Sequence, residues 1–84
     1  MPNILPLTPK LKRKLVKHNL TQKYNKQISL LTVNPSHPSL NIELLKPKER
    51  GIYSFRIDLK FRVLFFFSPV KNAIQVIAIT VHYR

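Results

Sequence analysis

The second half of the chain alternates between apolar and polar positions. Within Ile52 to Leu59, Tyr53, Phe55 and Ile57 fall on one side of an extended chain, Ser54 and Arg56 on the other. Within Phe61 to Ser68, Phe61, Val63, Phe65 and Phe67 form one set; Arg62, Leu64 and Phe66 form the other. Both aromatic sets must face a core, so the register has to keep the odd-numbered residues of the two strands on one side. A three-residue loop, Asp58 to Lys60, puts Phe55 opposite Val63, Tyr53 opposite Phe65 and Arg56 opposite Arg62. A register two residues away leaves the arginines diagonal; in either case they share the face turned from the core. After a turn at Pro69 to Asn72, Ala73 to Val81 reads as the last strand. Ile74, Val76 and Ala78 form one of its sides and Ile77 and Ile79 the other, and both are apolar. Alternation alone does not say which of the two is buried.

The first half has helical periodicity. Thr8-Pro9 is a helix start, a hydroxyl cap followed by proline at the first position. Leu11 and Leu15 share one face and Lys10, Lys14 and Lys17 another, and the helix should end near Asn19. Thr21 is placed to cap a second helix carrying the apolar stripe Tyr24, Ile28, Leu31. Asn34 to Ser39, NPSHPS, cannot continue it, because its two prolines lack the required N–H. Asn3 to Leu7 is a weak strand, broken by Pro6 and therefore expected at a sheet edge. Leu40 to Leu45 reads as a short strand and Lys46 to Gly51 as a polar, positively charged loop. The order β-α-α-β-β-β-β predicts an α+β fold, an N-terminal helical hairpin packed on a four- to five-stranded antiparallel sheet. Residues 1–84 suffice for a single domain.

Charge narrows the partners. The formal net charge is +12, and the three acids are Glu43, Glu49 and Asp58, so no acid precedes residue 43. Such imbalance costs self-repulsion that a polyanion relieves, either nucleic acid or an acidic protein. An anionic membrane surface fits less well, since no helix pairs a basic face with a broad aromatic one. With no cysteine there is no disulfide or thiolate site, which fits a reducing cytoplasm. MPNILPLTPK does not read as a signal peptide, and the longest apolar run, Val63 to Phe67, is too short to span a bilayer. Three scattered histidines give no metal-ligand spacing, and there is no P-loop, glycine-rich loop or serine-hydrolase elbow. The expectation is metal-free work on phosphate, or no chemistry, with no cofactor.

Candidate residues follow from the arginine face and the chain end. Like charges directly opposite on a sheet cost up to about 1 kcal/mol, and an anion between Arg56 and Arg62 would remove that cost. The alternative is a pair of solvated arginines. No carboxylate is offered by these two strands except Asp58 at the turn. Leu64 and Phe66 on the same face suggest a partly apolar groove. His82, Tyr83 and Arg84 add a proton donor, a hydrogen-bonding ring and a fixed charge. His37, between prolines, reads as structural, and His18 suits the negative end of the first helix.

The order helix, helix, NPSHPSL, short strand, IYSFRID, FRVLFFF, final strand and terminal HY resembles the RelE/ParE superfamily of type II toxin–antitoxin toxins over nearly the whole chain. The ending is most similar to its YoeB-like branch, whose chains close with a histidine–tyrosine pair. The resemblance implies a cytoplasmic, ribosome-dependent mRNA endonuclease, neutralised by a cognate antitoxin through an acidic or amphipathic segment covering the arginine face. It implies that Arg62 contacts the scissile phosphate, that His82 is the general acid, that Tyr83 is the terminal tyrosine and that Arg56 is a further basic position. Lys10, Arg13, Lys14, Lys17, Lys46, Lys48 and Arg84 would hold RNA, and Lys46 or Lys48 could lower the pKa of the 2′-hydroxyl. One departure stands out: the glutamate base of that branch is replaced by the run Pro38, Ser39, Leu40, and Glu43 is the nearest substitute. The competing readings are a ParE-like DNA gyrase inhibitor, separated by the His–Tyr ending, and an inactive, basic RNA-binding relic.

Overall fold

Thr8 caps the first helix, its Oγ1 accepting from the Leu11 N–H at 3.3 Å, with Pro9 at the first helical position. This comes from a computed structural model that describes residues 3–81. The elements are β1 (Asn3–Ile4), α1 (Pro9–Lys17), α2 (Thr21–Val33), β2 (Glu43–Leu44), β3 (Ile52–Arg56), β4 (Phe61–Ser68) and β5 (Ala73–Val81). Short 3-10 turns lie at Pro38–Leu40 and Lys48–Arg50. Helix α1 stops where Asn19 turns left-handed, at φ 56°, a conformation asparagine tolerates. Thr21 is not the cap of α2 but its first helical residue: Leu20 takes the cap position and is 1% exposed. Burying Leu20 outweighs a side-chain cap at that end.

The sheet order is β1-β5-β4-β3-β2. Four strands are antiparallel, as expected, but β1 runs parallel to β5, so the sheet is mixed. Of the two registers that the pattern leaves open, β3 and β4 adopt the one set by the three-residue loop: Tyr53 pairs with Phe65, Phe55 with Val63 and Arg56 with Arg62. Strand β3 ends at Arg56, earlier than the pattern suggests, because Asp58 turns the chain. Its Oδ1 accepts from the N–H groups of Lys60 and Phe61, both at 2.8 Å. Strand β2 is also shorter than expected, since the 3-10 turn and left-handed Asn41 (φ 44°) use the residues before it.

Both helices pack on one sheet face. Leu11, Leu15, Leu20, Tyr24 and Leu31 meet Phe55, Phe61, Val63, Phe65, Ile74, Val76 and Ile79. Strand β5 resolves its ambiguity with a bulge. The pairing shifts between Leu64–Ala78 and Phe65–Val76, leaving Ile77 as the extra residue. Ile74 and Val76 face the core before the bulge and Ile79 after it, while Ile77 is turned outward. One inserted residue thus buries members of both apolar sets.

Candidate functional site

The face opposite the helices holds Glu43, Ser54, Leu64 and Ala78 in one row and Arg56, Arg62 and Thr80 in the next. Arg62 is not solvated: it is 4% exposed. Its side chain lies across Ser54, with Nε donating to Ser54 Oγ at 2.9 Å. Nη2 donates to the carbonyls of Asn41 and Ser54. The same nitrogen stands 3.6 Å from Glu43 Oε1, and the Glu43 side chain is about half exposed at 46%. The arginine is therefore inside and the carboxylate is at the mouth. Burial pulls the Arg62 pKa below the ordinary arginine value; Glu43 opposes this and the neighbouring Arg56 charge adds to it. The guanidinium still stays charged at neutral pH.

The carboxylate that β3 and β4 lack is thus supplied by the adjacent strand β2. Glu43 is the ion-pair partner of this arginine. The hydrogen bonds of Arg62 use Nε and Nη2, so Nη1 is the edge that Ser54, Asn41 and Glu43 do not engage. A fixed, oriented fork beside a second cation is suited to binding one phosphate through charge-assisted hydrogen bonds.

Arg56 is half-buried, and α2 fixes its backbone. Gln27, 5% exposed, donates from Nε2 to the Arg56 carbonyl at 2.7 Å and to the Ser39 carbonyl at 3.1 Å. Beside it lies a cleft of about 360 Å³ bordered by Lys23, Lys26, Gln27, Ser39, Arg56 and Asp58. Lys23 pairs with Asp58 at 3.3 Å. Burial tends to raise the Asp58 pKa, but the N–H groups of Phe61 and Lys60 and the Lys23 charge outweigh it and hold it below the usual value. Sequence pattern does not single out Lys23, Lys26, Gln27, Ser54 or Asn41. A signal exists only for Gln27, a polar residue three past Tyr24 and four before Leu31 on the buried stripe.

Other expected positions are not gathered here. Lys10, Arg13, Lys14 and Lys17 ride on α1, in the layer covering the other sheet face. Lys14 Nζ donates to the Ile79 carbonyl at 2.6 Å. Lys46 and Lys48 lie in the β2–β3 connection, beyond Ile52. At about 3.3 Å per residue that is more than about 13 Å along β3 from Arg56. His37 is structural: its Nδ1 accepts the Ser39 N–H at 3.2 Å. His18 follows α1 and packs against Phe61 at a centroid distance of 5.0 Å. His82, Tyr83 and Arg84 lie outside the described residues. Among the described residues no group of three or more His, Asp or Glu is placed to hold a metal ion, and no helix is long and apolar enough to cross a membrane.

No protein-family model matches the sequence, and no curated protein matches it at the sequence level. Solved structures do. A YoeB/ParE toxin from Agrobacterium tumefaciens superposes with a TM-score of 0.70 at 22% identity, over 99% of this chain and 100% of that one. The chain has the YoeB/ParE toxin fold. A YoeB-YefM complex from Staphylococcus aureus gives a TM-score of 0.68 at 21% identity, covering 96% of this chain and 94% of that one. A heterotetrameric YoeB-YefM toxin-antitoxin complex from the same organism gives 0.67 at 20% identity with the same coverage. On this YoeB/ParE fold, β5 carries Thr80 opposite Arg62 and Val81 opposite Phe61. The last described residue therefore stands beside the arginine row.

Proposed function

We propose that the chain is the toxin of a type II toxin–antitoxin pair and acts as a ribosome-dependent mRNA endonuclease in the cytoplasm. The observation that carries this reading is Arg62, a buried guanidinium held in one orientation by Ser54 and Asn41, beside Arg56 and within 3.6 Å of Glu43. In the proposed reaction the RNA 2′-hydroxyl attacks the adjacent phosphorus and gives its proton to Glu43. The P–O5′ bond breaks, leaving a 2′,3′-cyclic phosphate. His82 donates the proton that the departing 5′-oxygen needs. Arg62 and Arg56 stabilise the charge growing on the phosphoryl oxygens, usually a large contribution. Tyr83 and Arg84 complete the substrate contacts. The partner is an antitoxin with an acidic or amphipathic segment, in line with the YoeB-YefM assemblies among the similar structures.

The test is primer extension on an mRNA under translation in a cell-free bacterial system. Wild type should produce new 3′ ends at ribosome positions, and both Arg62→Lys and His82→Ala should remove them. If wild type produced none and instead inhibited gyrase supercoiling, the gyrase reading would replace this one.

A further inference from the structure

Only the nitrogen of the Gln27 carboxamide is engaged by the fold. Strand β2 pairs with Tyr53 and Ser54 and stops there. The Arg56 carbonyl, farther along β3, is taken instead by Gln27 Nε2 at 2.7 Å. The second proton of that nitrogen goes to the Ser39 carbonyl at 3.1 Å. Both partners can only accept, which fixes the orientation of the amide and leaves Oε1 as its other end. No described residue donates to Oε1, and no buried polar side-chain atom among the described residues lacks a partner. Oε1 is therefore open to the cleft of about 360 Å³ that Gln27 helps to line, although the residue is 5% exposed. The other polar groups around this cleft are largely cationic. Lys23 and Lys26 are exposed on α2, and Lys26 has no ion-pair partner among the described residues. Arg56 borders the cleft and also stands opposite Arg62 across the β3–β4 ladder. A buried acceptor thus lies among cations, next to the arginine row.

We infer that this cleft is a base-reading subsite for the nucleotide beside the scissile phosphate, where Gln27 Oε1 accepts from the exocyclic amine of adenine or cytosine. The occupant rests on the RNA-cleavage reading above; the polarity of the recognition rests on Gln27 alone. Lys23 and Lys26 hold the flanking phosphate and carry no sequence information. Gln27 has no N–H left to offer, so it rejects a base that presents a carbonyl at the same place. Guanine and uracil do so, with O6 and O4 where adenine and cytosine carry amines. An acceptor set against an acceptor stays unpaired, which costs about the worth of one hydrogen bond. The volume of the cleft falls in the range of small-ligand sites, enough for one base.

The probe is the dinucleotide ApA with 2′-O-methyl riboses, which cannot be cleaved, titrated into the full isotopically labelled chain. The side-chain amide signals of Gln27 should shift with saturation, at an affinity about five- to tenfold above that of the UpU counterpart. Replacing adenine by unsubstituted purine removes the amine without altering the protein, and should abolish that advantage. Lys23→Ala with Lys26→Ala should weaken ApA and UpU by the same factor, because phosphate contacts act uniformly across sequences. Equal affinity for ApA and its purine counterpart, or shifts at Arg56 and Arg62 without Gln27, would overturn the inference. So would inorganic phosphate that moves the Gln27 amide as far as ApA does. The preference for ApA is read without cleavage, so it would survive a failure of the primer-extension test, and the two readings fail separately.

Discussion

Arg62 shows how burial changes what one side chain can do. A solvated arginine samples many orientations, whereas this one is anchored by Ser54 and Asn41 and faces Glu43. Arg62→Ala leaves Ser54 Oγ without its donor and should cost about 1–3 kcal/mol of stability in urea unfolding. Arg62→Lys keeps the charge but loses the fork, so RNA cleavage should fall even though the protein folds. Glu43 is half exposed, so Glu43→Gln should change stability by less than about 1 kcal/mol. Under the proposed reaction, however, Glu43→Gln should lower the cleavage rate by about 10²- to 10⁴-fold, read by single-turnover kinetics. Tyr24 gives a pH prediction. Burial pushes its phenol up to about 12, above the ordinary value near 10. The neutral form is favoured by folding, so this stability is complete below about pH 10 and is lost as pH rises toward about 12. Tyr24→Phe should flatten that alkaline loss in thermal melts taken from pH 9 to 12. Gln27 is the residue whose role was least legible. A helix stripe predicts burial at its position, but its acceptors, Ser39 and Arg56, are distant in sequence.

At the scale of elements, the two central strands were legible because each has one aromatic side. Two such sides can meet in few registers, and the Asp58 turn selects one. Strand β5 was not legible in the same way. Both of its sides are apolar, so the core position of Ile79 depends on a bulge at Ile77 that balances packing against β4. This leads to an unusual expectation. Deleting Ile77 removes the bulge and leaves Ile74, Val76, Ile79 and Val81 in unbroken alternation. The shortened chain should therefore keep a cooperative urea transition with its midpoint little changed. Deleting Val63 from β4 flips the strand's side chains and should abolish that transition. Thr21 teaches a similar lesson at a helix end: a good capping residue yields to the burial of Leu20 beside it.

For the whole molecule, the excess of positive charge has the widest reach. The chain carries +12 with three acids, and the ion pairs of the described residues involve Asp58 and Glu43. The compact state should therefore gain stability as salt screens its self-repulsion, with a midpoint that rises by a few degrees between about 20 and 300 mM sodium chloride. Single-stranded RNA binding should weaken steeply over the same range, with a log–log slope near −0.7 for each phosphate neutralised. The fold divides these charges between two surfaces. Arg56 and Arg62 lie on the open sheet face, while Lys10 and Lys14 line a cleft at the β5 edge. One basic protein thus presents two cationic surfaces of different geometry.

The order of elements, the two-helix layer, the β3–β4 register and the shared face of the two arginines are all written into the residue pattern. Those properties follow from local periodicity, proline and turn chemistry, which act over a few residues. The parallel placement of β1, the β5 bulge, the burial of Arg62 and its pairing with Glu43 arise only when the chain is folded. Each of these depends on atoms from segments far apart in the chain, where packing and desolvation, and not residue pattern, choose between arrangements of equal local quality.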